Sequence, residues 1–292
     1  MWSPPEQFIR PVASETHAPF SWRTVKWGAW SLTSLYVSIL SGFVVGIQYD
    51  YINPFYSTTA IDLLVPYGRF FRSLHFFSSQ LFFLFTCIHL AAVYPTSERL
   101  PYREWLKLCG ILPIILLLLF TGYILRGDNT GASAGLIAES IIHTIPLVGR
   151  IMDDLFFSIS GSGLRKVYLH HVITLDFFFL LCAWYHLRMY RVDVRDHKIL
   201  IGSMLLLSVF VSAPLELEQP GATYIAGPWF FLGLQELLRY LHPFLAGVVV
   251  PSIFLAALFA SHPGGSRRPV YLSVGALWVG AYAVLSCIAW LR

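Results

Sequence analysis

The sequence predicts an all-α fold, a polytopic helical bundle in a membrane with about seven transmembrane helices. Hydrophobic residues make up 56% of the 292 residues and charged residues only 12%, about half of the roughly 25% typical of soluble domains. The mean hydropathy is +0.64. The apolar residues gather into long runs that polar segments separate. This composition excludes an ordinary soluble domain.

Seven apolar runs reach or approach the length needed to cross about 30 Å of hydrocarbon at about 1.5 Å per residue. The fifth run is short; in chain order the runs lie at 27–48, 71–94, 105–125, 167–190, 198–213, 239–260 and 270–291. Residues 1–22 have no apolar core that ends in a small-residue cleavage site. They therefore predict a polar arm with tryptophan at the membrane interface and not a signal peptide.

The distribution of basic residues predicts the orientation. With the N-terminus in the cytoplasm, twelve of the 20 Lys and Arg residues lie on the cytoplasmic side and eight lie opposite, as the positive-inside bias favours. Seven spans then place the C-terminus on the periplasmic side of the cell inner membrane. Two long segments, 126–166 and 214–238, fall on that outer side. Because long ordered loops are usually functional, we expect these two to cover a common site.

Two of the runs each carry a pair of histidines. His75 and His89 are fourteen residues apart, and His171 and His186 are fifteen apart. At about 100° and 1.5 Å per residue, the pairs return to within about 40° and 60° of one face and rise roughly 21–22 Å. Both helices run from outside to inside. His75 is therefore predicted to be level with His171, and His89 with His186.

Imidazoles paired at two depths predict two haems, each with histidine at both axial positions of the iron. A single buried histidine is as often an ordinary hydrogen-bonded core residue, but two level pairs argue against that alternative. Such an iron has no open position, which suits electron transfer. The four cysteines form no C-x-x-C-H motif, so the haems are predicted to be b-type, held without covalent bonds.

The motifs around the histidines resemble the cytochrome b of quinol-oxidising Rieske/cytochrome b complexes. They are Arg72-Ser-Leu-His75, Thr121-Gly122-Tyr123, Ile145-Pro-Leu-Val-Gly149 and the second histidine pair. Its fifteen-residue spacing resembles the plastid and cyanobacterial branch, whereas the mitochondrial branch has fourteen. The resemblance implies a four-helix dihaem domain with its N-terminal arm, 1–192, and a three-helix C-terminal domain, 193–292, which the plastid branch encodes separately.

The resemblance implies a role for individual positions near the haems. The implied iron ligands are His75 and His171 for the outer haem and His89 and His186 for the inner one. Arg72 matches an arginine near a haem propionate, with membrane anchoring as the alternative. Gly28 and Gly42 match small residues that let a haem approach the helix backbone, although glycine is common in membrane helices. Lys26 stands where the plastid branch attaches an extra haem through cysteine, so no third haem is expected.

The outer loop departs from the family pattern. The family has Pro-Glu-Trp-Tyr, whose glutamate is thought to take a proton from quinol, whereas this chain has Gly227-Pro-Trp-Phe230. Trp229 keeps its place in the implied outer quinone pocket, but proline accepts no proton. The family's Leu-Pro-Trp is also replaced, by Leu125-Arg-Gly127. The resemblance therefore implies an outer pocket that is remodelled.

Carboxylates near this loop are candidates for the missing base. Glu236 follows on the next helix, and Glu216 and Glu218 precede the loop. Each is also explained as an ordinary loop or helix-start carboxylate. On the inner side, Arg191 matches an arginine near the inner quinone site of the plastid branch, and the positive-inside bias explains it equally well.

Two function classes remain open. The first is a subunit that oxidises quinol at the outer face, passing one electron to an iron–sulfur (Rieske-like) or cytochrome c type partner and the other through both haems to an inner quinone site. The second is a dihaem anchor that links the quinone pool to a peripheral dehydrogenase or multihaem cytochrome. The family motifs favour the first class, and the missing glutamate favours the second.

A third, non-redox class is a transporter that relays protons through histidines, and the level pairs argue against it. The expected partners are membrane lipid, quinone and the other subunits of a multi-subunit complex, with a dimer as one arrangement. No motif indicates a nucleic-acid partner.

Overall fold

The computed structural model describes residues 22–159, 163–190, 192–216 and 225–292. Within these ranges all regular structure is helical, which confirms the predicted all-α membrane bundle. The helices are α1 (Trp27–Ile47), α2 (Pro54–Leu63), α3 (Gly68–Val93), α4 (Tyr102–Ile124), α5 (Asn129–His143), α6 (Gly149–Phe156), α7 (Gly163–Leu169), α8 (Leu175–Met189), α9 (Lys198–Phe210), α10 (Leu232–Leu237), α11 (Val250–Ala260) and α12 (Arg268–Trp290).

Five segments of the described chain are long and apolar enough to cross a membrane. They are α1, α3, α4, the continuous helix that runs from α7 to α8, and α12. The predicted fifth and sixth spans are shorter. Helix α9 has 13 residues, which span about 20 Å. The chain is extended from Val211, three residues before Pro214. A proline disfavours helical backbone in the residue that precedes it. The sixth apolar helix covers Leu245–Ala260 and not 239–260, because the chain turns near Pro243.

Helices α1 and α3 are antiparallel and pack through small and hydroxyl-bearing side chains. The hydroxyls of Ser31 and Thr86 are 2.7 Å apart, and several serines of α1 are buried. Small residues of this kind let membrane helices approach closely. The centre of the four-helix bundle is an apolar layer from α1, α3, α4 and α8, made of Leu32, Leu35, Phe82, Ile111, Ile115, Phe179 and Ala183.

On the side that is predicted to be outer, and is called outer below, the segment that follows α9 is bound to the first half of the chain. Arg72 donates to the carbonyl oxygen of Ala213 at 2.8 Å, and the Ala213 amide donates to the Ser73 hydroxyl at 2.9 Å. The Glu216 amide donates to Asp128 Oδ2 at 2.9 Å. The predicted domains 1–192 and 193–292 are therefore joined by hydrogen bonds at this end.

On the opposite side, which is predicted to be inner, the end of α11 meets the beginning of α4. The indole of Trp105 donates to the carbonyl oxygen of Phe259 at 3.0 Å. The Tyr94 hydroxyl donates to the carbonyl oxygen of Ser261 at 2.5 Å. Helix α12 then crosses back, and Arg292 at its end reaches Glu236 on α10. The end of α12 therefore lies on the same side of the bundle as both long loops.

Candidate functional site

The structure brings the four histidines together as two pairs between α3 and the α7–α8 span. The ring centroids of His75 and His171 are 6.1 Å apart, and those of His89 and His186 are also 6.1 Å apart. An iron with an axial imidazole nitrogen at about 2 Å on each side requires ring centroids roughly 6 Å apart. The separation at both levels therefore fits a metal held between two histidines.

A π-helical turn explains why fifteen residues on one helix match fourteen on the other. His171 lies in the π turn His170–Thr174, which joins α7 to α8. A π turn inserts one extra residue into a helix, so the spacing from His171 to His186 is equivalent to fourteen residues of regular helix. The neighbouring His170 instead packs against Phe156 of α6, with ring centroids 6.1 Å apart.

Hydrogen bonds fix the orientation of the outer imidazoles. His75 Nδ1 lies 2.9 Å from the carbonyl oxygen of Ser38, which only accepts, so Nδ1 carries the proton. His171 Nδ1 lies 3.0 Å from the Thr121 hydroxyl, which itself donates to the carbonyl oxygen of Leu117. Metal-binding histidines usually donate their second ring nitrogen in this way. Nε2 of each ring is thereby left for a metal.

Glycines face three of the four rings. A Cβ on Gly42 would lie 2.7 Å from His75 Cε1, and one on Gly28 would lie 2.9 Å from His89 Cε1. Gly122 has the same relation to His171, at 2.9 Å. Gly28 and Gly42 are the positions that the sequence indicates. Gly122 belongs to the Thr121-Gly122-Tyr123 motif of the resemblance, but no role beside a ring was predicted for it; it follows Thr121, the hydrogen-bond partner of His171.

Arg72 is buried one turn before His75. Its Nε donates to Asp62 Oδ1 at 2.6 Å, and its Nη2 also binds Asp62 and the carbonyl oxygen of Ala213. The carboxylate of Asp62 on α2 balances the charge of the guanidinium and holds it near the level of His75 and His171. A contact between Arg72 and a haem propionate stays a prediction.

An apolar cleft lies between the two long outer segments. Helix α5 lines it with Thr130 and Ser133, the outer loop with Gly227 and Pro228, and α10 with Gln235. The other lining residues are apolar, and no described side chain that lines the cleft is titratable. The Gln235 amide holds the loop closed by accepting from the Gly227 amide at 2.8 Å. The two outer segments thus line one cleft, and its role as a functional site stays a prediction.

The predicted bases do not line this cleft. Glu236 is 1% exposed, and its Oε1 accepts from Tyr240 at 2.8 Å and from Arg292 at 3.0 Å. Its carboxyl therefore faces α12, while the preceding residue, Gln235, faces the cleft. Glu216 is exposed, and its backbone amide binds Asp128. This geometry speaks against Glu236 and Glu216 as bases within the cleft.

The remaining predicted residues lie elsewhere. Trp229 is not among the residues that line the cleft. Its indole donates to Oε1 of Gln80 at 2.8 Å, and Gln80 lies on α3, five residues after His75. Gln80 could not be predicted from the sequence, because a single amide in an apolar run matches no motif and no repeated spacing. Arg191 and Glu218 lie outside the described residues.

A buried ion pair stands at the rim of the cleft. Arg126 pairs with Asp128, and Asp128 Oδ1 also accepts from the Thr130 hydroxyl at 3.1 Å and from the Gly131 amide at 2.9 Å. Asp128 thereby caps the N-terminus of α5. Gly127 between the pair has φ +68°, and a Cβ there would lie 2.4 Å from the Phe55 nitrogen. Only glycine fits that position without strain.

Comparisons with known proteins agree with this arrangement. Residues 14–193 match the family described as cytochrome b/b6/petB. Cytochrome b6 of Heliomicrobium gestii is 29% identical over 174 residues, which cover 57% of this chain and 81% of that protein. Cytochrome b of Python regius is 27% identical over 151 residues, 50% of this chain and 41% of that protein.

The fold has a counterpart among solved structures. A chain of a structure titled hyperthermophilic respiratory Complex III has a TM-score of 0.66 and 16% identity, and the match covers 94% of this chain and 90% of that one. The family match extends over more than half of the 292 residues, which confirms the resemblance drawn from the histidine motifs. The chain therefore belongs to the cytochrome b/b6/petB family and is a multi-pass, haem-binding membrane cytochrome.

Proposed function

We propose that this chain is the dihaem, electron-conducting subunit of a quinol-oxidising complex of the Rieske/cytochrome b type. The observation that carries the proposal is the pair of histidine sites, each with rings 6.1 Å apart, at two depths of one bundle. In this proposal His75 and His171 hold an outer b-type haem, and His89 and His186 hold an inner one. Each haem, when bound, supplies a one-electron Fe(III)/Fe(II) couple.

The chain's own residues position these groups and keep water away from them. Ser38 and Thr121 orient the outer imidazoles, and the glycines leave room beside the rings. The apolar layer that includes Phe82 and Phe179 separates the two levels, which are about 21 Å apart along α3. This insulation favours passage of electrons between the two levels over their loss to solvent.

Quinone and protein partners complete the proposal. The apolar outer cleft is the proposed quinol site, because ligand sites of this kind are mostly apolar with a few placed polar groups. An iron–sulfur or cytochrome c type subunit would take one electron at that side, and an inner quinone site near Arg191 would take the other through both haems. The likeness to a chain of a respiratory Complex III supports a multi-subunit assembly.

Haem quantitation tests the proposal. Purified protein is expected to contain two b-type haems per chain by the pyridine haemochrome method, with two components in a redox titration of its reduced-minus-oxidised spectrum. One haem or none per intact chain would refute the two-site proposal.

The second candidate function, a dihaem anchor without electron bifurcation, is favoured by the cleft itself. No described side chain that lines it is titratable, and Pro228 and Phe230 stand where the family has an acid and a hydroxyl. Quinol oxidation releases two protons, which require an acceptor. In an anchor, quinone chemistry would take place only on the inner side.

The variant Pro228→Glu separates the two functions. If quinol enters the outer cleft, a carboxylate at this lining position is expected to speed haem reduction by quinol about tenfold or more, since acid–base groups contribute roughly 10²–10⁴-fold. Stopped-flow absorbance with a soluble quinol measures the rate, and Pro228→Gln is the uncharged control. Equal rates in both variants and the unmodified protein would favour the anchor.

The variant Glu236→Gln tests the direction of the buried carboxyl. Because Glu236 faces Arg292 and not the cleft, we expect the rate of haem reduction by quinol to stay within about threefold of the original. The same stopped-flow assay measures it. A loss of about 10²-fold or more, the range of an acid–base group, would instead identify Glu236 as the base that the sequence suggests.

The orientation has its own test. With the N-terminus cytoplasmic, Arg292 lies in the periplasm, because it shares a side with the outer loops. A reporter that works only in the periplasm is therefore expected to be active when fused after Arg292. Activity of a cytoplasmic reporter at the same junction would reverse the assignment of outer and inner sites.

A further inference from the structure

A carboxyl group lies at the centre of one membrane span. The span Gly163–Met189 has 27 residues, and Asp176 has thirteen of them on either side. At about 1.5 Å per residue it is roughly 20 Å from both ends, near the middle of the hydrocarbon. Ionisable groups at such depth are costly, rare and usually functional.

The carboxyl lies beside the apolar layer between the two histidine levels. Phe179 and Ala183, three and seven residues later on the same side of α8, are buried in that layer. Asp176 itself is half-buried. It makes no hydrogen bond or ion pair with any residue in the described part of the chain, so its presence is not explained by a structural contact.

The other titratable groups near this depth are cysteines and tyrosines. Helix α4, which packs along α8, has only apolar residues from Pro113 to Phe120. The other titratable side chains between the histidine levels on these elements are Cys182 and Tyr185 on α8, Tyr36 on α1, Cys87 on α3 and Cys109 on α4. Asp176 is therefore the single carboxyl group that the described parts of these four helices place between the histidine levels.

We propose that Asp176 binds the proton that compensates the electron held at the outer haem level. This inference rests on the proposed dihaem function. With a haem held by His75 and His171, the gain of one electron from quinol by its iron would be accompanied by uptake of one proton from water at the Asp176 carboxylate, which becomes the neutral acid. Loss of that electron would be accompanied by release of the same proton.

The direction of the coupling follows from electrostatics. An added electron disfavours a nearby negative charge in a low-dielectric interior, so the reduced state binds the proton more tightly. By reciprocity the protonated carboxyl favours the reduced iron. The midpoint potential therefore falls as pH rises. Asp176 is five residues, about 7 Å of rise, from His171 and ten residues, about 15 Å, from His186, so the outer haem is affected more.

Redox titrations across the neutral pH range test this inference on the haem-loaded protein. The outer haem is expected to change its reduction equilibrium by up to tenfold per pH unit, which is about 59 mV for one electron. Asp176→Asn is expected to flatten this slope and Asp176→Glu to retain it. Asp196→Asn, the same change at an exposed inner-side position, is the matched control and is expected to keep the slope.

Infrared difference spectra give a readout on the carboxyl itself. Reduction of the unmodified protein is expected to produce a protonated-carboxyl band that shifts in D₂O and is absent from Asp176→Asn. If the asparagine variant does not fold, this isotope-sensitive band in the unmodified protein and the Asp176→Leu variant provide the same test.

Two results would overturn the inference. The first is a pH slope in Asp176→Asn that superimposes on that of the unmodified protein; if a subunit or second copy is also lost from the purified assembly, Asp176 is a helix contact. The second is absence of haem from the unmodified protein, which would refute the proposed function and this inference with it.

Discussion

Replacing His171 with alanine is expected to remove the outer haem and leave the inner one in place. The outer iron would lose one of its two axial nitrogens, whereas the His89–His186 pair is a separate site on the far side of the apolar layer. Pyridine haemochrome quantitation is expected to fall from two haems per chain to one, with loss of one component from the redox titration.

The neighbouring histidine is the matched control for this prediction. His170 packs against Phe156, so His170→Ala is expected to retain both haems. Two haems in His171→Ala, or loss of the outer haem in His170→Ala, would contradict the ligand assignment and the role of the π turn.

Replacing Asp128 with alanine is expected to cost about 3–5 kcal/mol of stability, the usual penalty for breaking a buried ion pair. Arg126 is only 8% exposed and would be left without its carboxylate. The cap of α5 and the bond to the Glu216 amide would be lost as well. The half-life of the folded protein at raised temperature, followed by its haem absorbance, measures the effect.

An exposed aspartate of the same outer segment serves as the comparison. Asp154 on α6 is exposed, and its substitution by alanine is expected to change stability by no more than about 0.5 kcal/mol. A half-life of Asp128→Ala as long as that of Asp154→Ala would show that the buried cluster at the cleft rim is not a main source of stability.

The sequence predicted the parts of the molecule that depend on helix periodicity. Histidines fourteen residues apart return to one face of any regular helix, so the level pairing needs no knowledge of the loops. The antiparallel order of the helices follows from the alternation of apolar runs and short connections. The π turn was not predictable in this way, because one inserted residue leaves the apolar pattern of a membrane span unchanged.

The position of Glu236 shows why the outer cleft was harder to predict. Helix α10 has only six residues and begins after a loop, so its sequence does not indicate which face is turned toward the cleft. Adjacent residues on a helix differ by about 100°. A shift of one position places Gln235 in the cleft and Glu236 behind it. Two helix ends were also hard to predict. Helix α9 ends near Pro214 and the sixth apolar helix starts near Pro243, because proline restricts the backbone of the residue before it.

The π turn also has a consequence for how the chain tolerates changes in length. Deleting one residue from it, such as Ile173, would leave a regular helix in which the ligand spacing is fourteen, as on α3, and both histidines would keep their levels. Deleting one residue between Leu175 and His186 would rotate His171 by about 100° against His186. A single deletion is therefore expected to be harmless in the turn and disruptive just beyond it. The fourteen- and fifteen-residue spacings then place the two histidines of each helix in the same relative positions.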